Sequence, residues 1–115
     1  MGLFNKKNNN SGTSDSKLKI SLSKNENIFT FFVEGRLDTL TSPQLEEEIN
    51  KVISEAKKLV FDLEKLSYIS SAGLRVLLGA AQQMDGKGEM ILIHVSETVR
   101  EIFDLTGFIE VFNIE

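Results

Sequence analysis

The amino-acid sequence predicts an α/β domain in which an N-terminal β-hairpin leads into alternating helices and strands. Apolar and polar residues alternate from Leu18 to Leu22, which is the period of a half-buried strand. Further along, short apolar runs alternate with segments whose apolar residues recur at helical spacing. The predicted element order is ββαβαβαβ, a mixed β-sheet with helices packed against it and right-handed parallel crossovers.

Size and composition indicate one folded domain. The 115 residues are 41% hydrophobic and 26% charged, which is enough for a single core and normal for a globular protein. Residues 1–16 are instead rich in Asn, Ser, Gly and Lys, and such a segment buries too little apolar surface to offset the entropy of ordering. We therefore expect a flexible N-terminal tail over residues 1–16 and the folded domain over residues 17–115.

The composition also argues against several classes of function. The net charge of −4 disfavours a nucleic-acid-binding protein, which needs a basic face. Because the chain has no cysteine and a single histidine, His94, we expect no disulfide, no metal site, no cofactor and no catalytic residue. No apolar run reaches the length of a membrane span and the N-terminus lacks a signal-peptide pattern, so we expect a cytoplasmic protein.

The first half of the chain holds the predicted hairpin and the first helix. A turn over residues 24–27 joins the first strand to a second strand from Ile28 to Val33, which ends at Gly35. Ser42 is expected to cap the helix, with Pro43 at the first helical position, where its missing N–H is not needed. The inner face of this helix is expected to hold Leu45, Ile49, Val52 and Ile53.

The second half of the chain is predicted to alternate strands with helices and to end on a strand. Ser96 is expected to cap the last helix, and Gly107 to end it in the left-handed conformation. The predicted strands run from Leu59 to Leu63, from Met90 to Val95 and from Val111 to Ile114. The apolar residues at helical spacing between them are Leu74, Leu77, Leu78 and Ala81, then Val99, Ile102 and Phe103.

Two adjacent serines lie where α/β sheets usually place binding groups. Ser70 and Ser71 come between a predicted strand and the next helix, where strand carboxyl ends and helix N-termini converge. Gly73, in the first helical turn, has no side chain and is expected to let a partner approach the backbone. A serine before a helix is commonly a cap, but two hydroxyls exceed what one cap requires.

A catalytic serine is the alternative interpretation of this segment. The α/β hydrolases expose their nucleophile on a strand–serine–helix turn with the pattern G-x-S-x-G, whereas residues 69–73 read Ile-Ser-Ser-Ala-Gly. The one histidine, His94, is expected to be a strand-end residue with a hydrogen-bonded ring, and no histidine follows it to act as the base. The sequence therefore favours a binding segment over an enzyme.

Four segments, in order and spread from about Lys17 to the C-terminus, resemble the STAS domain, and specifically the bacterial anti-sigma factor antagonists. They are residues 35–38 (GRLD), residues 62–74 (DLEKLSYISSAGL), residues 88–90 (GEM) and residues 99–108 (VREIFDLTGF). The second segment is similar to the family's phosphorylation motif and is the most specific of the four. The predicted element order agrees with the STAS fold.

The resemblance implies a non-enzymatic switch protein. Such antagonists bind a serine protein kinase that is also an anti-sigma factor, which releases the sigma factor; the kinase disables the antagonist by phosphorylation, and a serine phosphatase restores it. The motif implies that Ser71 is phosphorylated and places Ala72 at the variable next position. Ser70 stands where the family often has Asp, which makes it a candidate second site. The implied partner surface comprises Asp38, Ser70, Ser71, Ala72, Gly73 and Leu74.

A second reading of the resemblance stays open. STAS domains also serve as interaction modules in other bacterial complexes, such as signalling scaffolds and lipid-transport assemblies. In that case the serine face is an interface without a phosphorylation switch. Both readings imply a protein partner, no direct contact with nucleic acid and no membrane span.

Overall fold

The computed structural model of the protein describes residues 17–115, and the predicted tail over residues 1–16 lies outside the described residues. The described part of the chain contains five strands, three α-helices and one short 3-10 helix. The strands are β1 (Leu18–Asn25), β2 (Ile28–Leu37), β3 (Lys58–Asp62), β4 (Leu66–Ile69) and β5 (Glu89–Ile93). The helices are α1 (Ser42–Val52), α2 (Ser71–Met84), α3 (Glu97–Thr106) and the 3-10 helix Phe108–Glu110.

The strand β2 is the centre of the sheet because it pairs along both of its edges. It forms the antiparallel hairpin with the whole of β1, from Leu18 opposite Gly35 to Asn25 opposite Ile28. Its other edge is shared, since its first half pairs in parallel with β3 and its last residues pair in parallel with β4. The strand β5 extends the sheet beyond β3, again in parallel. The carboxyl ends of β2 and β4 therefore lie side by side.

One face of the sheet forms the hydrophobic core with the helices. Phe31 on β2 and Phe61 on β3 are fully buried, and their rings stack with centroids 5.3 Å apart. Leu45 on α1 and Leu77 on α2 are also fully buried in this cluster. The predicted fold class, an α/β domain with a hairpin start and a mixed sheet, is confirmed. None of the helices within residues 17–115 is long and apolar enough to cross a membrane.

The order of elements differs from the predicted ββαβαβαβ at two places. The strand β4 was not predicted, because only Leu66 and Ile69 of its four residues are buried and the segment lacks the pattern of an isolated strand. The predicted last strand, Val111 to Ile114, is wrong: only Ile114 bridges Leu92 of β5. Phe112 instead packs its ring between those of Phe103 and Phe108, at 5.5 and 5.6 Å. At this end of the chain Phe112 is thus buried although it lies outside a strand, whereas Val111 is exposed.

The predicted ends of α3 are confirmed. The Ser96 hydroxyl accepts a hydrogen bond from the backbone N–H of Val99 at 3.3 Å, which is the expected cap. Gly107 ends the helix with φ +83°, a conformation that favours glycine. Both termini were readable from sequence because each depends on one residue with a specific local role.

The prediction that Ser42 caps α1 is wrong. The residue before the helix is Thr41, Ser42 is the first helical residue and Pro43 follows it in the first turn. The Ser42 hydroxyl donates to the backbone oxygen of Asp38, and its side chain is buried. Ser42 therefore ties the helix to the preceding loop and does not accept from the helix N–H groups.

Candidate functional site

The candidate site begins where β2 and β4 end together. Leu37 and Ile69, the last residues of the two strands, face each other in the parallel ladder. The next residue along β4, Ser70, donates its backbone N–H to the Leu37 carbonyl oxygen at 2.9 Å. The loop that starts at Asp38 and the helix that starts at Ser71 are thereby held side by side at one edge of the sheet.

Ser70 is the N-cap of α2. Its backbone is extended, with φ −99° and ψ 177°, and its hydroxyl accepts from the backbone N–H of Gly73 at 3.4 Å. Its carbonyl oxygen accepts the first intrahelical hydrogen bond from Leu74 at 2.9 Å. The Ser70 hydroxyl is therefore used as a helix cap, which is the common role of a serine before a helix.

Ser71 is the first residue of α2 and is exposed. Its hydroxyl makes no hydrogen bond with any residue in the range 17–115 that the structure describes. Ala72 follows it and is half-buried. Of the two serines, Ser71 thus presents a hydroxyl that the helix start does not use, which is what a modifying enzyme needs.

Gly73 and Leu74 lie inside the fold, so the expectation that Gly73 opens the backbone to a partner is wrong. A Cβ atom at Gly73 would come within 2.8 Å of the Leu37 Cγ and 2.9 Å of the Ile69 Cγ1. The glycine lets the first turn of α2 approach the ends of β2 and β4. Leu74 is 2% exposed and belongs to the core. The accessible part of the predicted partner surface is therefore Asp38, Ser70, Ser71 and Ala72.

The Asp38 carboxylate organises the loop between β2 and α1. Its Oδ1 accepts hydrogen bonds from the backbone N–H of Leu40 at 3.0 Å and of Thr41 at 3.1 Å. The Thr41 hydroxyl in turn donates to the Arg36 carbonyl oxygen at 2.7 Å. Leu40 projects from this ordered loop and is 82% exposed. Asp38 is thus a structural residue of the site, and its loop presents an apolar side chain to solvent.

Asp38 is held in its charged form. Burial raises the pKa of its carboxyl, but the hydrogen bonds from Thr41 and Leu40 and the charge of Arg36 outweigh burial, so the pKa lies below its ordinary value of 3.8. The Arg36 Nε lies 3.7 Å from the Asp38 Oδ2. At neutral pH the edge of the sheet beside α2 therefore carries an ionised Asp38 carboxylate that is paired with Arg36.

Arg36 and Tyr68 belong to the site edge and were not identified from the sequence. The two residues face each other across β2 and β4, and the Arg36 guanidinium carbon lies 4.3 Å from the centroid of the Tyr68 ring. Their pairing depends on the register of a strand that the sequence did not reveal. Recognising β4 would have placed them together.

A groove of about 220 Å³ between α1 and α2 adjoins this edge. It is lined by Thr39 from the Asp38 loop, Pro43 and Glu46 from α1, and Ala72 and Arg75 from α2. A larger hollow of about 440 Å³ lies over β1, β2 and β3, lined by residues such as Lys19, Phe32 and Asp62, and none of the predicted site residues line it. We place the candidate site at the groove because the exposed serine hydroxyl lies at that edge.

His94 lies at the end of β5 with its ring engaged, as the sequence predicted. Its Nδ1 is 3.0 Å from the Asp62 Oδ2 and 4.0 Å from the Glu64 Oε1. The backbone N–H of Glu64 donates to the other Asp62 oxygen at 3.1 Å. An aspartate on Nδ1 is also found in the triad of serine hydrolases, but within residues 17–115 no hydrogen bond joins the His94 ring to Ser71, so the serine contact of a triad is missing.

Comparison with known proteins identifies the family to which this fold belongs. The family model of the STAS domain matches residues 19–115. The chain belongs to the STAS domain family. The match covers the whole described domain apart from its first two residues.

Relatives of this STAS domain are named as anti-sigma factor antagonists. The antagonist BtrV of Bordetella bronchiseptica is 33% identical over 99 residues, which cover 84% of this chain and 85% of that protein. The anti-sigma-B factor antagonist of Listeria monocytogenes is 33% identical over 89 residues, covering 73% of this chain and 78% of the relative. The resemblance found in the four sequence segments is confirmed.

Solved structures show the same fold. An anti-sigma factor antagonist from Mycobacterium paratuberculosis superposes with a TM-score of 0.80 at 22% identity, over 88% of this chain and 87% of that one. The unphosphorylated antagonist SpoIIAA gives a TM-score of 0.73 at 23% identity, over 84% of this chain and 88% of SpoIIAA. The phosphorylated form of the Bacillus protein SpoIIAA gives 0.67 at 22% identity, over 84% and 91%.

Proposed function

We propose that this STAS domain is an anti-sigma factor antagonist that is switched off by phosphorylation of Ser71. In its unmodified form it binds an anti-sigma factor that is also a serine protein kinase, and the sigma factor is released in the cytoplasm. A serine phosphatase restores the unmodified form. The chain acts by binding and performs no catalysis itself. The observation that carries the proposal is the exposed Ser71 hydroxyl at the start of α2, which has no hydrogen-bond partner within residues 17–115.

The fold accommodates a phosphate at this position. Phosphorylation adds about −1.5 to −2 charge at neutral pH. The first turn of a helix offers N–H groups and a dipole that favour a negative charge, so α2 is expected to stay folded. The modification therefore acts on the contact with the partner, where a dianion beside the Asp38 carboxylate imposes repulsion and desolvation on any acidic or apolar surface.

Ser71 is proposed as the acceptor in preference to Ser70 for a structural reason. The Ser70 hydroxyl caps α2 through the Gly73 N–H. A kinase that used it would have to break this bond, whereas the Ser71 hydroxyl is free of such bonds within residues 17–115. The aspartate that the family often carries at this place caps a helix as well as serine does. Ser70 accordingly caps α2 as an aspartate would, but it does not carry the negative charge of an aspartate.

The experiment that tests the proposal is phosphorylation of the full chain by its cognate kinase. The purified chain is incubated with the kinase and ATP, and the phosphorylated residue is mapped by mass spectrometry. We expect a single phosphate on Ser71, its loss in Ser71→Ala and its retention in Ser70→Ala. A phosphate that persists in Ser71→Ala would contradict the assignment. Stable binding to a partner without any phosphorylation would instead favour an interaction module of another complex.

A further inference from the structure

Arg75 lies one helical turn after Ser71 on the same side of α2. Residues four apart on a helix are surface neighbours, with Cβ atoms about 5–6 Å apart. Long side chains in a helix also lean toward its N-terminus, which is the direction from Arg75 to the turn that contains Ser71. Arg75 is exposed and lines the groove beside Thr39 and Ala72. An arginine at this position can therefore reach the hydroxyl that the proposed function assigns to phosphorylation.

The other charged groups around this end of α2 are Arg36, Asp38 and Glu46. Arg36 is engaged by the Asp38 carboxylate and the Tyr68 ring. Glu46 lines the same groove from α1, yet it makes no ion pair with Arg75. Within residues 17–115, Arg75 makes no ion pair at all. Arg75 is thus a cation on the same helix as Ser71 that has no ion-pair partner within residues 17–115 and is available to a phosphate there.

We propose that Arg75 binds the phosphoryl group of Ser71 within the phosphorylated chain. The inference rests on the proposed function, because it concerns the state that the kinase creates. A guanidinium presents paired N–H donors that match two phosphate oxygens, and it keeps its charge at all relevant pH values. The contact offsets part of the added charge, including its repulsion from the Asp38 carboxylate. Arg75 is a positioning residue that fixes where the phosphate points.

The test uses the full chain with phosphoserine incorporated at position 71 during translation, so that no kinase is required. A nearby guanidinium favours the dianion and lowers the second pKa of the phosphoserine below its ordinary value of about 6. Titration followed by ³¹P NMR is expected to give a pKa that rises by roughly 0.2–0.7 units in Arg75→Gln, the range expected of an exposed ion pair. Arg75→Lys, which keeps the charge, is expected to restore most of the shift.

Arg100→Gln is the matched control. Arg100 is also an exposed arginine within a helix, but it lies on α3 and lines a different hollow with Glu97, Glu101 and Asp104. Its replacement removes the same net charge and is expected to leave the phosphoserine pKa unchanged. The same pKa in the wild type and in Arg75→Gln would overturn the proposal, and so would an equal shift in Arg100→Gln.

Two further measurements separate this inference from other outcomes. The unphosphorylated Arg75→Gln variant is expected to melt at the wild-type temperature, because Arg75 makes no ion pair within the described residues. A phosphoserine pKa that depends on Arg75 would stand even if no kinase modified the chain, in which case the proposed function alone would fail. A normal kinase reaction combined with an unchanged pKa would instead remove only the role of Arg75.

Discussion

The backbone N–H of Ser70 donates to the carbonyl oxygen of Leu37 at 2.9 Å, and this bond joins the start of α2 to the end of β2. Leu37 and Ile69 are the final paired residues of two parallel strands, so the bond continues their ladder by one step. The exposed Ser71 and the Asp38 loop both follow directly from these positions. The geometry of the site is therefore set by the sheet.

The two serines are predicted to differ in their effect on stability. Ser70→Ala removes the side-chain cap of α2 and is expected to lower the free energy of unfolding by about 0.5–2 kcal/mol. Ser71→Ala removes a hydroxyl that makes no hydrogen bond within residues 17–115 and is expected to change it by less than about 0.5 kcal/mol. Urea unfolding of both variants measures the difference. A larger loss of unfolding free energy in Ser71→Ala than in Ser70→Ala would show that Ser70 is not the cap.

Gly73→Ala is predicted to destabilise the domain by roughly 1–3 kcal/mol, because the added methyl group overpacks the contact between α2 and the strand ends. Its Cβ would lie 2.9 Å from the Leu37 backbone oxygen, which cannot move without disturbing the sheet. Gly79→Ala is the matched control on the same helix, since no atom lies within 4 Å of its added Cβ. The control is expected to gain roughly 0.5–1 kcal/mol in thermal or urea unfolding. Equal effects at the two positions would refute the close contact at Gly73.

Ser71→Asp is predicted to weaken binding to the anti-sigma factor by about 5–150-fold, the usual range of a regulatory coupling. It places a negative charge next to the Asp38 loop and is expected to leave the melting temperature nearly unchanged. Ser23→Asp, at an exposed position of β1, adds the same charge far along the sheet and should bind normally. Calorimetric titration of each variant with the kinase gives the comparison. Equal weakening by both variants would mean that net charge, and not the site, controls binding.

The contribution of Asp38 to stability is predicted to depend on pH. Its pKa is lower in the folded chain than its ordinary value of 3.8, so the ionised form is favoured by folding. A carboxyl of this kind stabilises the fold above its unfolded pKa, and the contribution is lost as the pH falls through the folded pKa. Wild type should therefore melt above Asp38→Asn at neutral pH, and the gap should close in acid. A gap that stays constant down to about pH 2 would show that the charge of Asp38 is not involved.

The sequence indicated the helices, the hairpin and the exposed serine because each leaves a local signal. Apolar spacing placed α1, α2 and α3, and single residues such as Ser96 and Gly107 marked helix ends. It could not indicate that Gly73 is a packing residue, since a glycine in a first turn is compatible with a close internal contact and with an open one. The strand β4 was missed for a related reason. Its pairing with the end of β2 is a long-range property with a register shift after Gly35.

Asp38 shows the same difference between what a local sequence pattern indicates and what only the folded chain shows. Its family position implied a place on the partner surface. The structure adds the hydrogen bonds that its carboxylate accepts from the backbone of Leu40 and Thr41, which no sequence pattern indicates. The Arg36–Tyr68 stack was beyond sequence analysis because it requires the β2–β4 register. Local chemistry was thus predictable, while contacts between neighbouring strand ends were not.

The hydrogen bond from Ser70 to Leu37 has a consequence for motion. An amide that donates into a buried, paired strand exchanges its hydrogen only when the surrounding sheet opens, so its protection approaches that of global unfolding. The Ser70 amide donates to Leu37, which is fully buried and paired with Ile69 of β4, whereas the amides of the exposed helix start are expected to exchange by local fraying. The proposed phosphate on Ser71 would therefore sit one residue after a firmly held strand end, and we expect it to change the charge that a partner meets without changing the sheet beneath it.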